Sequence, residues 1–169
     1  MTNPMHDAQL PAERVNRPRQ RVFPALAPLY ARGEPVMYAL LRAMFGIILL
    51  THGLPKALGT SHGSMANPME GSINLIQNVL GLPFASELAF LVMLLETLGA
   101  LMLTVGLWVR PVALIVALEM IGISCALGPT WPWVDRGIEY PVLMTFLALY
   151  IALRGSGRLA LDRLVKYTF

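Results

Sequence analysis

Four long apolar runs occupy most of this chain, and ionisable residues sit inside them. The runs cover about residues 36–54, 84–107, 112–127 and 138–153. Each is near the roughly 20 residues that a helix needs to cross about 30 Å of hydrocarbon. Arg42, Glu96 and Glu119 lie within the runs, and His52, Glu87 and Glu139 lie nearer their ends. A charge held in lipid costs several kcal/mol unless it has a partner. The pattern therefore predicts an all-α, polytopic membrane four-helix bundle whose polar groups meet in its interior.

Composition supports lipid as the solvent. The chain has 169 residues, of which 56% are hydrophobic and only 14% charged, against about 25% charged in a soluble domain. Its mean hydropathy is +0.59. Three sections follow: residues 1–35 as an Arg- and Pro-rich leader, mostly irregular; residues 36–155 as the helical domain; and residues 156–169 as a basic tail with a surface helix. The basic start and the run from Val36 imitate a secretory signal, but no A-x-A cleavage site follows. A retained first helix is the expectation.

Charge asymmetry sets the topology. Of the 13 Lys and Arg residues, Arg14, Arg17, Arg19, Arg21 and Arg32 precede the first run. Arg154, Arg158, Arg163 and Lys166 follow the last, and Arg110 lies in the tight turn between runs 2 and 3. The opposite side has Lys56 and Arg136. The positive-inside rule then places both termini in the cytoplasm, in a bacterial inner membrane, with anionic headgroups as neighbours. Trp131 and Trp133 suit an outer aromatic belt. A nucleic-acid surface is excluded because no folded soluble module presents the arginines.

Helix rise ranks the polar groups by depth. At about 1.5 Å per residue, Glu119 lies about 12 Å above Pro111, Glu96 about 16 Å above Leu107, and Arg42 about 9 Å above Val36. Arg42 is expected to pair with Glu96 or Glu119. One arginine does not neutralise two carboxylates, so one acid would hold a proton. His52 and Lys56 are four apart and share a helical face, with Pro55 between them expected to kink or end the helix at Gly53-Leu54-Pro55. A polar cavity bounded by His52, Lys56 and Glu139, with Glu87 nearby, would open outward and narrow toward Glu96. Cys125, alone in an apolar run, is expected as a packed core thiol.

Other chemistries lack their residues. His6, His52 and His62 are not spaced as a helical metal site, and neither C-x-x-C nor H-E-x-x-H occurs. There is no G-x-S-x-G or glycine-rich nucleotide loop. A haem between spans would have only His52 to ligate it. A quinone needs only an apolar slot and a few polar groups.

The order and spacing of these residues resemble the DoxX family of small four-helix integral membrane proteins, over about residues 40–164. The family pattern of Arg, then His-Gly and Lys, falls on Arg42, His52, Gly53 and Lys56. Its Glu followed by small residues falls on Glu96, Gly99 and Ala100, its turn Arg on Arg110, and its Glu-x-Pro on Glu139 and Pro141. The resemblance implies a four-helix membrane fold. Some relatives look like subunits of quinone-linked sulfur oxidoreductases, and others like membrane partners of redox-defence enzymes. The leading functional expectation is a membrane subunit that binds quinone or relays protons. His52 and Glu96 would exchange protons, and Arg42, His52, Lys56, Glu96 and Glu139 would line the quinone site. A redox protein partner or a homo-oligomer accompanies that reading. A non-enzymatic anchor or assembly factor, and a small-solute or proton-coupled transporter, remain the alternatives.

Overall fold

The computed structural model describes residues 23–164. Regular structure among them is helical. Helix α1 spans Ala27–Leu58 and the short α2 spans Pro68–Asn74. Helix α3 spans Ala85–Val105, α4 spans Val109–Leu127 and α5 spans Glu139–Arg154. Among these, α1, α3 and α4 are long and apolar enough to cross a membrane. The 16-residue α5 packs along α4.

Helix α1 starts well before the expected position near Pro35. Pro28 falls in its first turn, where a missing N–H costs nothing, and the helix then continues through Pro35. Residues 27–35 are thus helical rather than irregular, and residues 1–22 of the predicted leader lie outside the described residues. At 32 residues, α1 is about 48 Å long, and exceeds the hydrocarbon thickness of about 30 Å. Neither is there an exit at Gly53-Leu54-Pro55. The helix runs on to Leu58 and stops at Gly59, whose φ of +66° lets its N–H reach the Pro55 carbonyl.

The helices alternate in direction. Gly53, Gly46 and Arg42 of α1 face Glu96, Ala100 with Thr104, and Gly106 in that order, so α1 and α3 are antiparallel. The start of α4 meets the end of α5, with Arg110 against Gly155. One core joins both pairs. It holds Phe45 and Leu49 from α1, Leu103 from α3, Val116 and Met120 from α4, and Met144 and Ile151 from α5. The outward faces remain apolar and exposed, as at Met44, Phe90, Leu118 and Phe146. Exposure of that extent suits lipid, and water would not tolerate it. Cys125 belongs to this outer surface and not to the core. It stands nine residues after the fully buried Val116, which at about 100° per residue is half a turn away.

Two close approaches hold α1 against α3. A Cβ on Gly46 would lie 2.5 Å from the Ala100 carbonyl oxygen, and one on Gly53 would lie 2.5 Å from the Glu96 carbonyl carbon. Small residues at such crossings allow the backbones to touch, which is the main route to tight packing in lipid.

The predicted surface tail instead folds back onto the bundle as far as Leu164, and residues 165–169 lie outside the described residues. A three-residue turn, Leu161–Arg163, takes the place of the surface helix among the described residues, and Asp162 is buried. Its carboxylate accepts hydrogen bonds from Trp108 N (2.7 Å) and Val109 N (3.3 Å), the first amides of α4. It also accepts one from Ser156 Oγ at 2.5 Å. In return, Asp162 N donates to the Gly106 carbonyl at 2.9 Å. Trp108 has a φ of +49°, a conformation that non-glycine residues rarely hold without support. The acid supplies that support and complements the helix N-terminus.

Three outcomes check this packing by thermal denaturation in detergent. Gly53→Ala should destabilise the protein by about 1–3 kcal/mol through overpacking. Gly33→Ala, at a helical glycine with nothing within 4 Å, should be neutral or stabilising by about 1 kcal/mol. Asp162→Ala should cost about 0.5–2 kcal/mol, the usual loss for an N-terminal cap.

Candidate functional site

Glu96 stands on the inward face of α3, in line with the buried Ala85, Ala89 and Met93 before it. Residues Leu95–Gly99 form a π turn inside α3. Such a turn adds one residue to the helical circuit and often marks a functional position. Thr97 Oγ1 donates back to the Met93 carbonyl at 2.7 Å beside it. The turn lies against Gly53, where no side chain separates the two backbones. Glu96 is therefore directed into the bundle, with 3% of its surface exposed.

Lys56 completes the contact. Its Nζ lies 2.6 Å from Glu96 Oε2, with both side chains almost fully buried. Lys56 stands 14 residues beyond Arg42, so the two cations of α1 are about 21 Å apart along the helix. This corrects the expected pairing of Arg42 with Glu96 or Glu119. Arg42 is buried, but its guanidinium donates to the carbonyls of Ser156 (2.5 Å) and Leu159 (2.8 Å) in the segment after α5. The physical reason is α1's earlier start. Arg42 lies level with Gly106, at the far end of the bundle from Glu96.

Glu119 reaches the same cluster from α4. Its carboxyl meets the Glu96 carboxylate and lies within the field of Lys56, and no N–H donor reaches either of its buried oxygens. His52, one turn before Lys56, is half-buried and lies within the fields of Glu96, Lys56 and His62. The His62 ring meets the His52 ring edge-on, with centroids 4.8 Å apart and planes at 62°. Four ionisable groups from three helices thus converge, with a fifth from a loop. Two of them are carboxyls, and the ammonium bonds only one.

A model of the DoxX family matches residues 37–128, more than half of the chain. The chain belongs to the DoxX family. It is also 33% identical over 126 residues to "Putative oxidoreductase CatD" of Bacillus subtilis (strain 168), covering 75% of this chain and 84% of that protein. No solved structure matches.

The DoxX match contains His52, Lys56, Glu96 and Glu119, and Arg42 at the opposite end. Glu139 lies beyond it, exposed at the start of α5, with its backbone N–H on the Trp131 carbonyl at 3.1 Å. Glu87 is exposed and borders a shallow hollow with Ser86, Phe90 and Leu91. It is nine residues before Glu96 and so points to the other side of α3. His62 was not legible as a partner of His52, because ten residues and a helix end separate them. Among the described residues, no group of three or more His, Cys, Asp or Glu side chains is arranged to hold a metal ion.

Lys56→Met should leave Glu96 buried without its cation and destabilise the protein by about 3–5 kcal/mol. Adding Glu96→Gln to that variant should recover much of the loss. A double-mutant cycle on thermal or denaturant unfolding measures the coupling, and additive effects would contradict a direct pair.

Proposed function

We propose that this DoxX protein is the membrane subunit of a quinone-linked redox system, with its site at the Lys56–Glu96–Glu119–His52 cluster. The observation that carries the reading is Glu119, a buried carboxyl set against the Glu96 carboxylate that Lys56 already engages, with no N–H donor on either of its oxygens. A buried acceptor without a donor is costly, and the hydroxyls of a quinol head are donors of the right kind. Lys56 would supply the complementary donor to a quinone oxygen, and His52 an imidazole whose two nitrogens can accept and donate a proton. Reduction of the head takes two protons and two electrons. In this chain, His52 and the carboxyls would handle the protons, while a reduced redox-protein partner would bring the electrons. The oxidoreductase name of the Bacillus subtilis relative agrees with this class of chemistry.

Arg42 and Glu139 take no part in this version of the site. Arg42 acts as a cap at the other end of the bundle, and Glu139 stands exposed at the start of α5.

The same proposal makes α5 the fourth span and puts both termini in the cytoplasm of a bacterial cell. Arg42, Arg110, Arg154, Arg158 and Arg163 gather at one end of the bundle, where anionic headgroups would meet the exposed ones. Lys56 belongs to the opposite end, with the Glu96 pair facing the translocated side.

Protein purified in mild detergent is expected to retain quinone that organic solvent extracts. His52→Ala and Glu96→Gln should reduce both retention and quinone-dependent turnover while leaving membrane insertion intact. Full retention and turnover in both variants would show that the site lies elsewhere. For topology, a cysteine placed at Arg158 in a Cys125→Ser background should react only with reagent applied from the cytoplasmic side. Labelling from outside would invert the orientation.

A further inference from the structure

His62 is an ionisable residue at the cluster to which the quinone site gives no task. It lies in the loop between α1 and α2, and its position is set by the backbone. His62 N donates to Met65 O at 2.9 Å, and Met65 N donates to His62 O at 3.0 Å. This two-residue bridge turns the chain back over the end of α1. The neighbours Ser61, Gly63 and Ser64 are exposed, while His62 itself is half-buried. One side of His62 is thus near solvent, and the other meets the His52 ring at 4.8 Å between centroids. Beyond His52 come Lys56 and Glu96, joined at 2.6 Å, and then Glu119.

We propose that His62 and His52 form the outer limb of a proton path that ends at the Glu96–Glu119 carboxyl pair. The proposal rests on the proton-exchanging role assigned to the cluster, and adds both a route and the side from which protons come. The groups facing His52 are Lys56 on its own helix, His62 from the loop, and Glu96 from α3. Lys56 bonds Glu96 and not Glu119, so two carboxyls share one cation. A proton on the carboxyl pair balances that count. Imidazole both accepts and donates through its two nitrogens, so each ring passes a proton onward as it receives one. A ring spacing of this size suits direct transfer or transfer through one bridging water. Each transfer breaks one O–H or N–H bond as it forms another: solvent gives a proton to His62, His62 gives one to His52, and His52 gives one to the carboxyl pair, which leaves both rings neutral and able to reload.

The test is a pH jump on the full chain in lipid vesicles, applied from each side separately. The readout is the infrared carbonyl stretch of protonated carboxyl groups, with the Glu119 component assigned by its loss in Glu119→Gln. A jump on the side bearing His62 is expected to change that component promptly, and a jump on the other side only after a delay. His62→Ala should slow the prompt response on the order of a hundredfold, the lower end of what a positioned proton-transfer group contributes. Added imidazole should restore much of the rate. His62→Gln, which keeps a polar side chain for loop packing, should be as slow as His62→Ala. An unchanged rate in both variants, a prompt response from the opposite side, or no Glu119 component would overturn the path. Quinone retention, measured on the same samples, separates the two readings. A prompt, His62-dependent response in protein that holds no quinone would support the path and count against the quinone site.

Discussion

The contact between Lys56 and Glu96 organises one half of the bundle, and a glycine makes it possible. A lysine on α1 reaches a carboxylate on α3 at 2.6 Å because Gly53 lets the helix rest on the backbone of the π turn. Lipid offers no hydrogen bonds to either group, so the pair is stable only where its partners are fixed in place. Any residue larger than glycine at position 53 would push α1 outward and lengthen the ion pair. The π turn has the matching role on the other helix. It carries Glu96 on the same inward face as Ala85, Ala89 and Met93 and presents its backbone to Gly53. Helix spacing, charge pairing and the placement of Glu119 and His52 beside them are thus one geometric problem with one solution.

Much of the fold was legible because apolar run length and helix rise are nearly independent of tertiary context. The runs at 84–107, 112–127 and 138–153 each became a helix within a few residues of the expected limits. The beginning of α1 was less legible. Prolines at 28 and 35 suggested an irregular leader, but the first falls in the initial turn and the helix continues through the second. That shift explains the largest error in the site. With the helix assumed to begin near Pro35, Arg42 seemed to approach the depth of Glu96. In the fold it lies beside Gly106, and Lys56, assigned to a surface end, is the buried partner.

Rotation was harder to read than depth. Counting residues places Glu96, Glu119 and Lys56 along their helices, but side chains meet only if their azimuths agree. No composition signal announces which azimuths on different helices will agree. The same limitation hid Asp162. In the sequence it is one acid within a basic tail, and only the fold shows two amides of α4 waiting for it. His62 was hidden for another reason. A short loop returns to its own helix end, and the contact depends on a two-residue backbone bridge rather than on any spacing rule.

Asp162 also bears on the order in which the bundle is completed. The turn between α3 and α4 is closed by a residue that follows α5, so it is made after every helix it helps to hold. During synthesis the amides of Trp108 and Val109 would face solvent or headgroups until that residue emerged. Arg42 would wait in the same way, since the carbonyls that receive it belong to Ser156 and Leu159. The segment after α5 therefore acts as a latch on a bundle already threaded through the membrane. Helices can enter the bilayer one after another with that end loosely joined, and it becomes rigid only when the latch arrives.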